Sequence, residues 1–227
     1  MKIVCFDLDD TLYKEIDFLK SAYQEIAGYA AGQCTGCSDS VTILALKAYN
    51  RMLDAYSGGQ NAFEELNKFL GIRLPASDYL QIYRNHKPKV ELSEDAVRTL
   101  NCLKEQGVHI GVITDGRSVQ QRNKVEALGL GRWIEQEDIV ISEEFGSEKP
   151  NLANYTFFMK HYPQYHDFTY VGDNLKKDFI APNRLGWHTV CLKDDGRNIH
   201  RQQVEIAERE ALPKVWIDSL YELAGSI

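Results

Sequence analysis

Three short runs of β-favouring residues, each halted by a small polar cluster, limit what this chain can fold into. Lys2-Ile3-Val4-Cys5-Phe6 stops at Asp7, Val108-His109-Ile110-Gly111-Val112-Ile113 at Thr114-Asp115-Gly116, and Phe168-Thr169-Tyr170-Val171 at Gly172-Asp173. These apolar stretches lack polar alternation, so they predict strands buried on both faces, as in the middle of a parallel sheet. Ile139-Val140-Ile141 and Thr189-Val190-Cys191-Leu192 are further short strands, and Val215-Trp216-Ile217 suits a sheet edge. Helical stretches lie between them. Ser93 with Glu94 and Asp95 opens one that Gly107 closes; Ser118 with Gln121 three residues on forms a capping-box pattern, and its Val125, Leu128 stripe finishes at Gly129. Strand and helix in alternation predict an α/β fold with a doubly wound, Rossmann-like parallel sheet. Ligands of such sheets sit beyond the carboxyl ends of the strands, where all three polar clusters fall.

Residues 13–89 break the alternation. They carry helix-period apolar positions, Phe18, Ala22, Ile26 and then Ala45, Tyr49, Leu53, without a clear strand. Breaks at Gly32 to Gly36, Ser57-Gly58-Gly59 and Leu74-Pro75 divide the stretch into four helices, and Pro88 marks the return. The expected organisation is an α/β core of residues 1–12 and 90–227 with a helical insertion of 13–89, placed in sequence to cover the Asp7 cluster. The polar tail from Asp194 to Glu210 reads as an exposed loop plus a surface helix.

Composition sets the outer limits. At 227 residues the chain is long enough for one domain with an insertion, and no stretch approaches the roughly 20 apolar residues of a membrane span. Met1 and Lys2 lead through a short apolar run straight to Asp7, so no secretory leader can be drawn and a cytoplasmic protein is expected. A net charge of −7 argues against nucleic acid or an anionic membrane as the main partner. Five cysteines, two of them (Cys5 and Cys191) inside apolar runs, read as reduced thiols. Cys34 and Cys37 form one C-x-x-C, with no second pair at zinc-site spacing.

Asp7, Asp9, Thr114, Lys149, Asp173 and Asp178 all fall at strand ends or in short loops on one side of the expected sheet. Two like charges ~4 Å apart repel by roughly 4 kcal/mol at an effective dielectric of 20, so converging carboxylates call for a cation. Oxygen donors with few protein ligands suit Mg²⁺. Taken singly, each aspartate is a common turn or cap residue; the pattern as a whole is what signals chemistry.

Asp7-Leu8-Asp9-Asp10-Thr11-Leu12, Val112-Ile113-Thr114-Asp115-Gly116, Lys149-Pro150 and Gly172-Asp173-Asn174-Leu175-Lys176-Lys177-Asp178 resemble, in order, the four motifs of the haloacid dehalogenase-like hydrolase superfamily. The helical insertion between the first two is similar to the α-helical cap of the phosphatase-rich subfamily I. The resemblance implies an Mg²⁺-dependent phosphomonoesterase that works through an aspartyl-phosphate. Asp7 would be the nucleophile and Asp9 the general acid and then base. Thr114, with the backbone of Asp115 and Gly116, would bind the phosphoryl group, and Lys149 would neutralise it and orient Asp7. Asp7, the Asp9 backbone carbonyl and Asp173 would hold the metal, with Asp178 acting through a metal-bound water.

The family often has Asn where this chain has Asp115, and a side chain pointing into the phosphate site would count against the reading. Carbon-attacking dehalogenases lack the carboxylate held here by Asp9. A phosphomutase shares the first motif, and a non-catalytic phosphate-binding protein would be expected to have lost Asp7, Asp9 or Lys149. The resemblance points to a small phosphorylated metabolite, a nucleoside monophosphate or a sugar phosphate. Tyr13, Lys14, Tyr23, Arg51 and Tyr56 are candidate contacts in the insertion, and Arg117 is another beside the second motif. Lys176 and Lys177 read as a solvated helix start.

Overall fold

The structure, a computed structural model, describes residues 1–35, 39–204 and 207–223. Six strands form one sheet: β1 (Lys2–Phe6), β2 (His109–Thr114), β3 (Ile139–Ile141), β4 (Asp167–Gly172), β5 (His188–Leu192) and β6 (Val215–Ile217). Their order is β3-β2-β1-β4-β5-β6, and all five pairings are parallel. This is the expected doubly wound sheet. Its order reverses at β1, whose neighbours β2 and β4 connect outward in opposite directions, and that reversal opens a crevice at the carboxyl ends. The inner strands are buried, with Ile3, Val4, Cys5 and Phe6 fully enclosed, as their uniformly apolar sequences require.

Helices follow in chain order: α1 (Glu15–Gly32), α2 (Val41–Ser57), α3 (Ala62–Leu70), α4 (Ala76–Asn85), α5 (Glu94–Glu105), α6 (Ser118–Ala127), α7 (Ser142–Phe145), α8 (Leu152–His161) and α9 (Ile180–Arg184). Contacts divide the chain into an α/β unit of residues 1–16 and 90–227 and a helical unit of 17–89. Residues 13–16 belong to the α/β unit because Tyr13 and Glu15 hydrogen-bond to the side chains of Asp9 and Asp10.

Within the helical unit, α1 buries Phe18, Ala22 and Ile26 as its period predicts. The buried stripe of α2 is Leu44, Ala48, Met52 and Ala55, one position off the expected Ala45, Tyr49, Leu53 row. Tyr23 is buried near the Phe63 ring, and Arg51 pairs with Glu65, so both serve the packing of this unit. His86, just past α4, is held between Ser21 Oγ at 2.7 Å and Glu25, while Ser21 Oγ accepts from the Lys89 N–H at 3.2 Å. These bonds tie the returning chain to α1. The Cys34 thiol lies near the Ala30 and Leu70 carbonyls, and Cys37 falls outside the described residues.

Two local expectations change in the α/β unit. Ser93 caps α5 through its hydroxyl as expected, but α6 begins without a side-chain cap. Glu143 and Glu144 supply the acceptors instead, taking the Ser118 N–H (2.7 Å) and the Ser118 hydroxyl (2.7 Å), which frees Gln121 for another task. Among the described residues of the 194–210 tail no α-helix forms; Asp10, Asp173 and Asp194 accept hydrogen bonds from it and hold it as a loop. No described helix is long and apolar enough to cross a membrane.

Candidate active site

The three central strands β2, β1 and β4 each end at a polar group of the crevice, Thr114, Asp7 and Asp173. Asp7 follows β1, its N–H still bonded to the Val171 carbonyl at 2.8 Å, so the parallel ladder extends one residue beyond the strand. Its carboxylate accepts from Lys149 Nζ at 2.7 Å. The same ammonium donates to Asp178 Oδ1 at 2.8 Å and to the Tyr170 hydroxyl at 3.1 Å. The other Asp178 oxygen accepts the N–H groups of Asp173 (3.0 Å) and Asn174 (2.8 Å), folding that carboxylate under the end of β4. Glycine is required for this at position 172, where a Cβ would lie 2.5 Å from Asp178 Oδ2.

Carboxylate oxygens of Asp7, Asp173 and Asp178 gather within 4.8 Å of one another, and all three residues are buried. Burial pushes Asp7 up to about 7, with Lys149 opposing and Asp178 adding to the rise. Burial also drives Asp173 well above the carboxylate range, helped by Asp178 and Asp7. For Lys149, burial works against the charged form, but Asp178 and Asp7 outweigh it and hold the ammonium firmly protonated. Lys149 bonds two of these three buried carboxylates, Asp7 and Asp178, and the cluster's negative charge and hard oxygen donors fit a divalent cation such as Mg²⁺. Asn198 steadies the free side of Asp173, donating to its Oδ2 at 2.9 Å, and Gln202 donates to its carbonyl at 2.9 Å.

Asp9 lies in the opposite environment. Lys124 Nζ reaches both carboxylate oxygens (2.7 and 2.9 Å), Gln121 Nε2 donates at 3.0 Å and the Tyr13 hydroxyl at 2.5 Å. Burial alone would raise this carboxyl, yet the charge and hydrogen bond of Lys124, with Tyr13 and Gln121, hold it below the ordinary range. Thr114, at the end of β2, is buried and accepts from Gln121 Nε2 at 2.6 Å.

The Asp115 side chain is fully engaged by the surrounding loops: Oδ1 accepts the Lys149 N–H at 3.0 Å and Oδ2 accepts from Lys177 Nζ at 3.1 Å. The Gly116 N–H, expected to face a phosphate, donates instead to Ser142 Oγ at 3.0 Å, because Ser142 directly follows the neighbouring strand β3 and opens α7. Arg117 pairs with Glu143 across the surface. Lys177, expected as a solvated helix start, sits partly buried against Asp115 in a turn. Tyr13 and Lys14, named as contacts from the insertion, bind Asp9 and Asn198 within the α/β unit.

Gln121, Lys124, Asn198 and Gln202 were not singled out as site residues from sequence. A signal for the first two did exist: extending the Val125, Leu128 stripe backward by helical steps lands on Gln121 and Lys124, polar residues in the apolar phase. Nothing local marks Asn198 or Gln202, which reach Asp173 only through tertiary folding.

The sequence profile of the haloacid dehalogenase-like hydrolase family matches residues 4–192. A glyceraldehyde 3-phosphate phosphatase of Methanocaldococcus jannaschii is 33% identical over 200 residues, covering 85% of each chain. The ribulose-1,5-bisphosphate 5-phosphatase of Halopiger xanaduensis is 31% identical over 140 residues, or 61% of this chain and 58% of that one. Among solved structures, the putative hydrolase YfnB of Bacillus subtilis superposes with a TM-score of 0.68 at 20% identity, covering 99% of this chain and 97% of that one. A 2-haloacid dehalogenase of Pseudomonas syringae gives 0.63 at 20% identity with the same coverage, which speaks to the fold alone. Ordered motifs, sheet topology and family profile agree: the chain belongs to the haloacid dehalogenase-like hydrolases.

Proposed function

We propose that this protein is an Mg²⁺-dependent phosphatase of small sugar phosphates. The observation that carries the proposal is the pairing at the end of β1: a buried Asp7 bonded to Lys149 in a carboxylate cluster, and an ionised Asp9 two residues on, held by a separate cation. Two carboxylates in contrasting environments suit two successive roles. Asp7 attacks phosphorus, the bond to the leaving oxygen breaks, and an aspartyl-phosphate forms on Asp7. Asp9, ionised in the free protein, takes up a proton from solvent or from the phosphate monoanion of the substrate and passes it to the leaving alkoxide. It then accepts a proton from the water that cleaves the acyl phosphate and frees inorganic phosphate.

Lys149 lies against the attacking carboxylate and is placed to balance phosphoryl charge as it develops. The Thr114 hydroxyl, which already accepts from Gln121, keeps its proton to donate to a phosphoryl oxygen. Asp7 and Asp173 would hold Mg²⁺, with the Asp9 carbonyl, and Asp178 would support the ion through water. Bound there, Mg²⁺ supplies Lewis-acid stabilisation of charge on phosphate. We assign residues 17–89 as the α-helical cap of the family. The sugar-phosphate class follows from relatives that act on glyceraldehyde 3-phosphate and ribulose 1,5-bisphosphate. Asp9 also argues against carbon-attacking dehalogenation, where halide leaves without a proton.

Phosphate release from glyceraldehyde 3-phosphate, ribulose 1,5-bisphosphate, AMP and p-nitrophenyl phosphate, with Mg²⁺ and with excess chelator, tests the reading. Metal-dependent release, fastest on a sugar phosphate, is expected. Release that ignores the chelator would overturn the metal assignment, a preference for AMP the substrate class, and no release from any member the phosphatase itself.

A further inference from the structure

The buried face of α6 is polar, and neither the fold nor the proposed roles of Asp7, Asp9, Thr114 and Lys149 account for it. Gln121 and Lys124 are the buried residues of this helix, each only 1% exposed, whereas Val119 on the same helix is 52% exposed. A helix that contributed only to packing would reverse that assignment, because an enclosed ammonium and an enclosed amide both lose hydration. Both side chains project to one place, as residues three apart on a helix do. Lys124 grips both oxygens of Asp9, while Gln121 Nε2 is shared between Asp9 Oδ2 (3.0 Å) and Thr114 Oγ1 (2.6 Å). Glu15 lies 3.7 Å from the same ammonium, and Tyr13 closes the far side of Asp9.

Backbone geometry supports the same arrangement. Gly116 has φ +148°, a conformation L side chains rarely adopt, and a Cβ there would come within 3.0 Å of Gln121 Cγ and Cδ. The turn after β2 is therefore shaped to let Gln121 pass. With its start bonded to Glu143 and Glu144 on α7, α6 reaches from that surface to Asp9.

We infer that Gln121 and Lys124 are positioning residues that fix the Asp9 carboxyl in register with Thr114, so that proton delivery to the leaving oxygen and hold on the phosphoryl group are set by one helix. The inference rests on the proposed phosphatase reading and deepens it. Placement matters most where a proton must be delivered: an aliphatic alkoxide cannot leave without one, while p-nitrophenolate can. kcat/KM reports steps through formation of the aspartyl-phosphate, so it isolates this proton from the later activation of water.

The test compares Lys124→Met, Lys124→Arg and Gln121→Met with the unaltered enzyme on p-nitrophenyl phosphate and on the best aliphatic phosphate of the panel. For Lys124→Met and Gln121→Met, kcat/KM on the aliphatic substrate is expected to fall at least about tenfold further than on the aryl substrate, the loss lying in kcat. Lys124→Arg should restore part of the difference. Equal losses on both substrates, or no loss, would overturn the inference. Should Lys124→Met not fold, Gln121→Met, which strands no charge, decides by the same ratio; loss of the folded circular-dichroism signal in both makes the residues structural and overturns the inference. Asp7→Asn separates the two levels, because phosphate release surviving that change sinks the parent reading whatever the α6 variants do.

Discussion

Asp7 and Asp9 stand two residues apart at the end of β1, yet their carboxylates occupy opposite electrostatic settings. Around Asp7, two further buried carboxylates crowd in, one of them sharing Lys149, and burial with this company raises the proton affinity of Asp7 to about 7. Around Asp9, Lys124, Gln121 and Tyr13 converge on one carboxylate, and its proton affinity falls below the ordinary value. Residue type is the same in both places, so the difference comes entirely from which strands and helices supply the neighbours. The Asp7 region carries negative charge that the neighbouring side chains do not balance, whereas Asp9 is matched by Lys124 within the protein.

The comparison breaks most sharply under substitution. Asp7→Asn should lower kcat at least about 10³-fold on every phosphate ester. Asp9→Asn should cost roughly 10²–10⁴-fold on aliphatic esters and less on p-nitrophenyl phosphate. Their effects on stability should have opposite signs in metal-free protein at pH 8: Asp7→Asn removes an excess buried charge and raises the urea midpoint, while Asp9→Asn takes away the nearest counter-charge of the buried Lys124 and costs about 3 kcal/mol. Shifts of the same sign would show that the two environments are not distinct.

A pH titration of stability sharpens the contrast. Asp7 is raised from 3.8 to about 7, so between those values the folded state binds more protons than the unfolded chain, and stability falls as pH rises through that window. Asp173, also raised, adds to the same slope. Asp9 is lowered, so its contribution is present above pH 3.8 and is lost only as pH falls below it. Metal-free protein should therefore melt lower at pH 8 than at pH 5.5, and saturating Mg²⁺ should recover part of the loss, about 2–4 °C per kcal/mol of binding linkage. A melting temperature at pH 8 that ignores both Mg²⁺ and chelator would remove the excess-charge account of the Asp7 region.

The smallest effect belongs to Arg117. It directly follows the second motif but its guanidinium pairs with Glu143 at the surface, so Arg117→Ala should leave kcat and KM unchanged on the substrate panel. A raised KM would place it with the phosphate-binding groups.

Much of this was legible because the information is local. Apolar runs without alternation announced buried parallel strands, and their abrupt ends at Asp7, Thr114 and Asp173 announced one crevice. Asp178, five residues beyond Asp173, could be placed for the same reason: a short turn cannot carry it far. Gln121 shows where local reading fails. Its position three residues after Ser118 fits a capping box, but Glu143 and Glu144, distant in sequence, bind the helix start and release it to Asp9 and Thr114. Likewise α2 turned its buried stripe by one position, since a row of Ala, Tyr and Leu competes closely with one of Leu, Ala and Met, and packing within the helical unit decides.

By itself the sequence determined the strands of the sheet, the order of its motifs and which polar groups end them, because strand propensity and burial pattern act over a few neighbouring residues. Only the tertiary structure decided how each carboxylate is held. Lys149 reaches Asp7 across 142 positions, Lys124 reaches Asp9 across 115, and Asn198 reaches Asp173 across 25. Electrostatic interaction depends on distance in space and on exclusion of water, and neither is encoded in the spacing along the chain.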